Sequence, residues 1–438
     1  MIETKPMRTS HRIWAGGAII ALPLLAFGLV RPEEGSVRFF ALLAIAAVGY
    51  LATLHLVANG MRPSGRALSA CAALALAWRI PMLLAPPERD ADLRRYVWDA
   101  RLVRAGLSPW TVVPADPAFA HLRTIESWPV NNPDVPSPYP AGAQLFFVAA
   151  TTASESTRAI KVAALVCDAL LALVVWRSLV AAGANPGWVL AYLWSPLVSL
   201  EVARHGHLDV VGALFVALAA FALARGRPLV GSIAFALSVA VKPLPIVLLP
   251  LLWRRVSRRH VVAGFAVLLA LYVPFWDRHR LPIGSVPEVI VRFRFNGPIF
   301  SEVASLAGPA AATGFAVATG LVVAAWARSR LSLASPQAWA WPMAAALLCA
   351  PLVYPWYLVW LAPFLVAPQT MPLAIWTVSI LSTYVVWRLA VPWAMPVWAL
   401  VVEYGALLGA ALWLWRRKRP PSGAELNSPP APPPASAP

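Results

Sequence analysis

The sequence predicts an all-α, polytopic integral membrane protein, and three observations predict it. Of the 438 residues, 60% are hydrophobic and 13% charged, where a soluble domain carries about 25% charged residues; mean hydropathy is +0.67. Apolar runs long enough to cross a hydrocarbon core of roughly 30 Å follow one another from Ile13 onward. Between them sit short connections rich in Lys and Arg, the pattern of cytoplasmic loops.

That pattern also accounts for the formal charge of +17. The basic residues form small clusters between apolar runs rather than one basic face, so a nucleic-acid partner is not expected. Cys71, Cys167 and Cys349 each lie inside an apolar run without paired spacing, which points to neither a disulfide framework nor a zinc site.

The first run, Ile13 to Val30, is long, lacks a small-residue cleavage site and is followed by further spans, so it reads as an anchor rather than a cleaved signal. Val37 to Ala58 and Ala67 to Pro86 follow. Lys5, Arg8 and Arg12 put the N-terminus in the cytoplasm, and Arg62 with Arg66 put the second connection there. The third span then delivers residues 87–138, the longest polar stretch, to the external face as a loop bearing short interfacial helices. Basic connections at Arg177, Arg225 to Arg227, Arg254 to Arg259, Arg328 to Arg330 and Arg416 to Arg419 belong on the cytoplasmic side. This count requires Tyr139 to Ser154 to be re-entrant or otherwise not to reverse the side. It also requires Leu229 to Trp253 to be two pieces broken around Lys242-Pro243-Leu244-Pro245, where each proline removes a backbone donor. About twelve to fourteen crossings satisfy hydropathy and charge together. A second external loop, 277–300, carries Arg292, Arg294 and Asn296. Residues 1–419 thus form one transmembrane domain, and the Pro-, Ser- and Ala-rich residues 420–438 a disordered cytoplasmic tail. No internal repeat is visible, which weighs against a secondary transporter.

The first loop concentrates chemistry. Asp90, Asp92 and Asp99 lie close together, and the spacing of Leu93, Val97, Leu102 and Val103 permits a helix over 92–107. It carries Asp92 and Asp99 on one face two turns apart, with Arg95 and Tyr96 between them. Such a helix lies along the outer leaflet, apolar side down, with Trp98 and Trp110 at headgroup depth. Spacing alone fits an inert amphipathic helix equally well. Sugar transfer from a phosphate carrier to a hydroxyl needs a carboxylate to take the hydroxyl proton and basic groups to steady the departing phosphate. Asp92 could be that base, and Arg94, Arg95, Arg101 and Arg104 are nearby for phosphate, unless they pair with headgroups.

Further along, His207 and Asp209 read either as the start of a helix, with Asp209 as first-turn acid, or as the rim of a site beside Arg204 and His205. Lys242 lies in an apolar run, where a lysine costs about 2.5 to 3.5 kcal/mol on insertion scales unless it meets water, phosphate or an acid. Its candidate partners are a lipid phosphate and an intramembrane acid such as Asp168 or Glu201. Arg79 poses the same question without a motif. Tyr354 to Tyr357, and Trp128, Trp360 and Trp387, fit interfacial anchoring.

The ordered motifs carry a resemblance. Asp90-Ala91-Asp92, Arg95-Tyr96-Val97-Trp98-Asp99-Ala100-Arg101 and Ala105-Gly106-Leu107-Ser108-Pro109-Trp110 resemble the first external loop of GT-C glycosyltransferases. The likeness is greatest to bacterial polyprenyl-phosphate-mannose-dependent mannosyltransferases of the glycosyltransferase 87 type, and extends to the DxD loop of the endoplasmic-reticulum GPI mannosyltransferases. It continues through Val130 to Pro136, Tyr139-Pro140-Ala141-Gly142-Ala143-Gln144, Gly206-His207-Leu208-Asp209, Lys242-Pro243-Leu244-Pro245 and Tyr354-Pro355-Trp356-Tyr357. Ala100, Ser108, Trp110 and Ala141 stand where the family often has Gly, Asn, Tyr and Pro.

The resemblance implies an inverting hexosyltransferase, most simply of mannose, in the bacterial plasma membrane with its site on the external face. The donor is a polyprenyl-phosphate sugar and the acceptor a lipid-linked or extracytoplasmic glycan. Asp92 matches the family's catalytic position; Asp90 and Asp99 are supports for acceptor or for an optional divalent cation. Arg95, Arg101, Lys242, His207, Asp209, Arg204 and Tyr139 are candidates for donor phosphate and substrate. Two carboxylates alone are a poor metal site. Two other functions stay open: a lipid or solute transporter working through Lys242 and Asp168, and an O-antigen ligase or polymerase, whose large external loop falls late rather than early.

Overall fold

A computed structural model describes residues 7–86, 92–276, 284–286, 288, 292–389 and 394–418. Asp90, residues 277–283, 287 and 289–291 of the second loop, and the tail beyond residue 418 lie outside the described residues. The protein is an all-α polytopic membrane protein. Among the described residues eight helices are long and apolar enough to cross a membrane, against roughly twelve to fourteen crossings expected from hydropathy and charge. The difference is in shorter apolar helices, over 141–150, 209–224, 228–241 and 298–307, which proline-rich or irregular stretches cut short.

The N-terminal helices α1 (Met7–Leu29), α2 (Val37–Ala58) and α3 (Gly65–Leu84) pack together. Ser36 and Ser64 cap α2 and α3 through the amides of Phe39 and Ala67, the ordinary use of serine at a helix start. Loop helix α4 (Asp92–Arg104) packs on the short α5 (Ala141–Ala150) and on the long α6 (Thr157–Ala181). Eight of its thirteen residues are buried. α4 is therefore an internal helix rather than one lying on lipid. Trp98, with Leu102, Val112 and Val130, forms a small core under the loop, and Trp110 packs on Tyr272 and Phe275. Both tryptophans are therefore packed inside the protein rather than exposed as interfacial anchors.

Two irregular stretches interrupt the regular helices. Between α6 and α7 (Asp209–Ala224) the chain makes short helical pieces and one π-helical turn, Ser199–Arg204, all buried. Between α12 (Pro336–Leu348) and α13 (Met371–Ser379) it runs through short 3-10 turns, including Pro355–Trp360. Non-helical backbone at membrane depth is tolerated where protein surrounds it, and both stretches meet that condition. α8 (Pro228–Val241) stops at Lys242 as the prolines require, and the chain continues as a 3-10 turn, Leu244–Leu248. The remaining helices are α9 (Arg258–Ala270), α10 (Pro298–Ala307), α11 (Pro309–Arg330) and α14 (Val397–Lys418).

Intramembrane charge is paired. Arg79 donates to Asp168 at 2.8 Å and to the carbonyls of Ala75 and Leu193, and Tyr192 donates to Asp168 at 2.6 Å. Asp168 is thus the partner of Arg79, not of Lys242. By contrast α9 and α14 expose Val262, Phe265, Val401 and Leu408, as helices facing lipid do.

Candidate functional site

Asp92 opens α4 and is half-buried. Asn131 donates to one carboxylate oxygen at 2.9 Å and the Tyr139 hydroxyl to the other at 3.3 Å. Burial first, and then the Asp92 carboxylate, push the Tyr139 phenol well above its ordinary value, so it stays a donor. Tyr139 is braced edge-on by Tyr96 and Phe147. Gly142 makes this brace compact: a Cβ there would fall 2.7 Å from that of Ala240, so only glycine lets α5 press this closely on α8.

Asp99, on the same face of α4, has the opposite surroundings. It is fully buried, and it accepts hydrogen bonds from Arg95 at 3.1 Å, from Gln144 at 3.1 Å and from the Ser137 hydroxyl. Burial nevertheless pushes its carboxyl up. Arg95 reaches on to the Val135 carbonyl at 3.0 Å and to the carbonyls of Asn131 and Asn132. Asp99 and Arg95 therefore clamp the 131–137 strip that presents Asn131 to Asp92. Arg101 sits about 13 Å further along the helix axis than Asp92, bound to the Leu122 carbonyl and to Glu155, which Arg104 also holds.

The Tyr354–Tyr357 segment reaches the same region through Trp356 on His207 and Tyr357 under Lys242. Lys242 contacts both oxygens of Asp209 at 2.8 Å and sits 4.7 Å from the centre of the Tyr357 ring. The partner of Lys242 is neither Asp168 nor Glu201 but Asp209, brought to it from the start of α7. Trp360 donates its indole N–H to Asp209 at 2.7 Å. It is 1% exposed, so its place is in the core rather than at the interface. Gly212 faces that ring and leaves no space for a side chain.

His207 stacks on Trp356 with ring centres 4.2 Å apart, and Trp356 stacks in turn on Tyr354 at 4.3 Å. Gly206, at φ +70°, turns the chain there, and a Cβ on it would fall 2.6 Å from Leu93, the neighbour of Asp92. Arg204 instead donates to the carbonyls of Phe27 and Pro32. The fold thus brings Asp92, Tyr139, His207, Asp209 and Lys242 to one region. It engages Asp99, Arg95, Arg101 and Arg204 in holding the protein around that region.

A family model, described as alpha-(1->6)-mannopyranosyltransferase, N-terminal domain, matches residues 14–258, more than half of the chain. The chain belongs to this mannopyranosyltransferase family. No curated protein and no solved structure matches it. The stretch matched to the mannopyranosyltransferase domain contains Asp92, Tyr139, His207, Asp209 and Lys242; Tyr354 to Tyr357 come from beyond it. The protein is accordingly a membrane glycosyltransferase that moves mannosyl groups.

Several side chains of the site escape a linear reading. Gln144 and Lys161 each stand alone in an apolar run, a signal in itself. Lys161 donates to the carbonyls of Met82 and Ala85, fixing where α3 ends before the acidic loop. Tyr96 and Trp360 carry no such signal. Among the described residues no three His, Cys, Asp or Glu side chains gather as a metal ion would need. Asp99 turns inward, so it offers Asp92 no second open carboxylate.

Proposed function

We propose that the protein transfers mannose from a polyprenyl-phosphate donor to a hydroxyl of a lipid-linked or extracytoplasmic glycan, with inversion, on the external face of a bacterial plasma membrane. The single observation that carries the reading is the contrast between two acids on one helix face. Asp92 keeps a half-buried carboxylate held by Asn131 and the Tyr139 hydroxyl, whereas Asp99 is sealed.

Asp92 acts as general base. It takes the proton of the acceptor hydroxyl as that oxygen bonds to the anomeric carbon, while the bond from that carbon to the phosphate oxygen breaks and its electron pair leaves with the phosphate. Asn131 and Tyr139 orient the carboxylate. Tyr354, Trp356 and Tyr357 offer ring faces on which a sugar packs, and Lys242 supplies positive charge near the phosphate while tied to Asp209. Donor class, inversion and sidedness rest on the resemblance of the loop motifs and on the charge rule for connections.

The test uses the full-length protein in proteoliposomes, with radiolabelled polyprenyl-phosphate mannose and octyl α-mannoside as acceptor. Asp92→Asn is expected to lower turnover by about 10²- to 10⁴-fold, the usual worth of a general base, with the protein still inserted and monodisperse. Undiminished turnover in that variant would sink the mechanism.

A further inference from the structure

The π-helical turn before α7 builds a relay that the transfer reaction described above does not yet use. Glu201, fully buried, accepts the Tyr384 hydroxyl on one carboxylate oxygen at 2.6 Å and faces His207 Nδ1 with the other at 2.9 Å. A carboxylate has no proton to give, so Nδ1 is the donor in that contact, and a carboxylate at Nδ1 is the partner an imidazolium takes, leaving Nε2–H as its second donor. One face of the ring is covered by Trp356, and His205 stacks 5.7 Å from it. Nε2 has no hydrogen-bond partner among the described residues. A ring oriented by a buried acid at one nitrogen, with the other nitrogen open and the turn packed against Leu93 beside Asp92, is a group held for a ligand.

We propose that His207, as the imidazolium paired with the Glu201 carboxylate, contacts the phosphate of the lipid donor through Nε2–H, and that Glu201, itself held by Tyr384, is the positioning residue that sets His207 for this contact. The inference rests on the transferase reading above. In the transfer the phosphate changes from a diester to a monoester, and the electron pair of the broken bond stays on the oxygen that leaves the sugar. A proton on Nε2 faces that oxygen as its charge grows. Lys242, tied to Asp209, adds its charge to the same region. This device therefore favours the product monoester over the donor diester, and acts more on turnover than on donor binding.

The experiment measures binding of polyprenyl phosphate and of polyprenyl-phosphate mannose to the full-length protein in nanodiscs. His207→Gln is expected to weaken the monoester by about ten- to hundredfold, the worth of one hydrogen bond to a charged group, and the mannosyl diester by much less. Glu201→Gln should move the monoester in the same direction, Tyr384→Phe more weakly, and Glu201→Gln added to His207→Gln should cost nothing further, since one acts through the other. Equal losses for both lipids, an additive double variant, or an unchanged His207→Gln protein overturns the proposal. A wild-type protein that binds neither lipid overturns the donor reading beneath it, whereas intact lipid binding with no effect of His207→Gln overturns this inference alone. Tyr384→Phe keeps the test open if Glu201→Gln fails to fold, because it removes one hydroxyl and no charge.

Discussion

Asp92 and Asp99 stand seven residues apart on one helix, and their surroundings give them different work. Asp99 holds a buried guanidinium, and removing one partner of a buried ion pair costs about 3 to 5 kcal/mol because the other charge is left uncompensated. Asp99→Ala should therefore lower the thermal unfolding midpoint of the detergent-solubilised protein clearly, with loss of activity following loss of fold. Asp92→Asn should leave that midpoint within a degree or two, since Asn still meets Asn131 and Tyr139. A D99A protein as stable as the wild type would remove the clamp. The acids themselves and their common face were legible in the sequence. Which acid turns inward was not, because Ser137 and Gln144 close over Asp99 from about forty residues away.

The elements divide in the same manner between local and distant causes. The stop of α8 at Lys242 was legible, since Pro243 and Pro245 prevent continuation. The π-helical turn at Ser199–Arg204 carries no periodic mark, and the apolar residues around it read as one more span. The pairing of Lys242 was open for a related reason: Asp209 belongs to another element, and only the packing of α7 on α8 brings the two together. On another side of α7, Gly212 leaves the gap for the Trp360 ring of the 355–360 turn. Gly212→Ala should push the indole away from Asp209, costing about 1 to 3 kcal/mol as overpacking does, and should lower turnover along with stability. A stable and fully active G212A protein would show that the Trp360 contact to Asp209 does not support the site.

At the scale of the whole molecule, the connections sort to two ends. Asn185 donates to the Met61 carbonyl, and Arg255 donates to the carbonyls of Arg328 and Leu331, so basic connections meet basic connections. At the other end Lys161 holds the end of α3, Glu126 caps Thr157, and Arg101 pairs with Glu155, so the acidic loop, the start of α6 and the turn at His207 belong together. The class of fold was legible because apolar length and charge bias are local properties; the number of full-length helices was not, because proline breaks and irregular turns shorten spans that hydropathy counts whole. If the basic end is cytoplasmic, as the charge rule holds, Ile125, 85% exposed on the loop, faces outward and Trp253, 71% exposed, faces inward. In a protein whose three native cysteines are replaced by alanine, Ile125→Cys should react with a membrane-impermeant maleimide added to intact cells, and Trp253→Cys only after the membrane is opened. The reverse pattern would place Asp92 on the cytoplasmic side and direct the search for donor and acceptor to that leaflet, with the chemistry of the site unchanged.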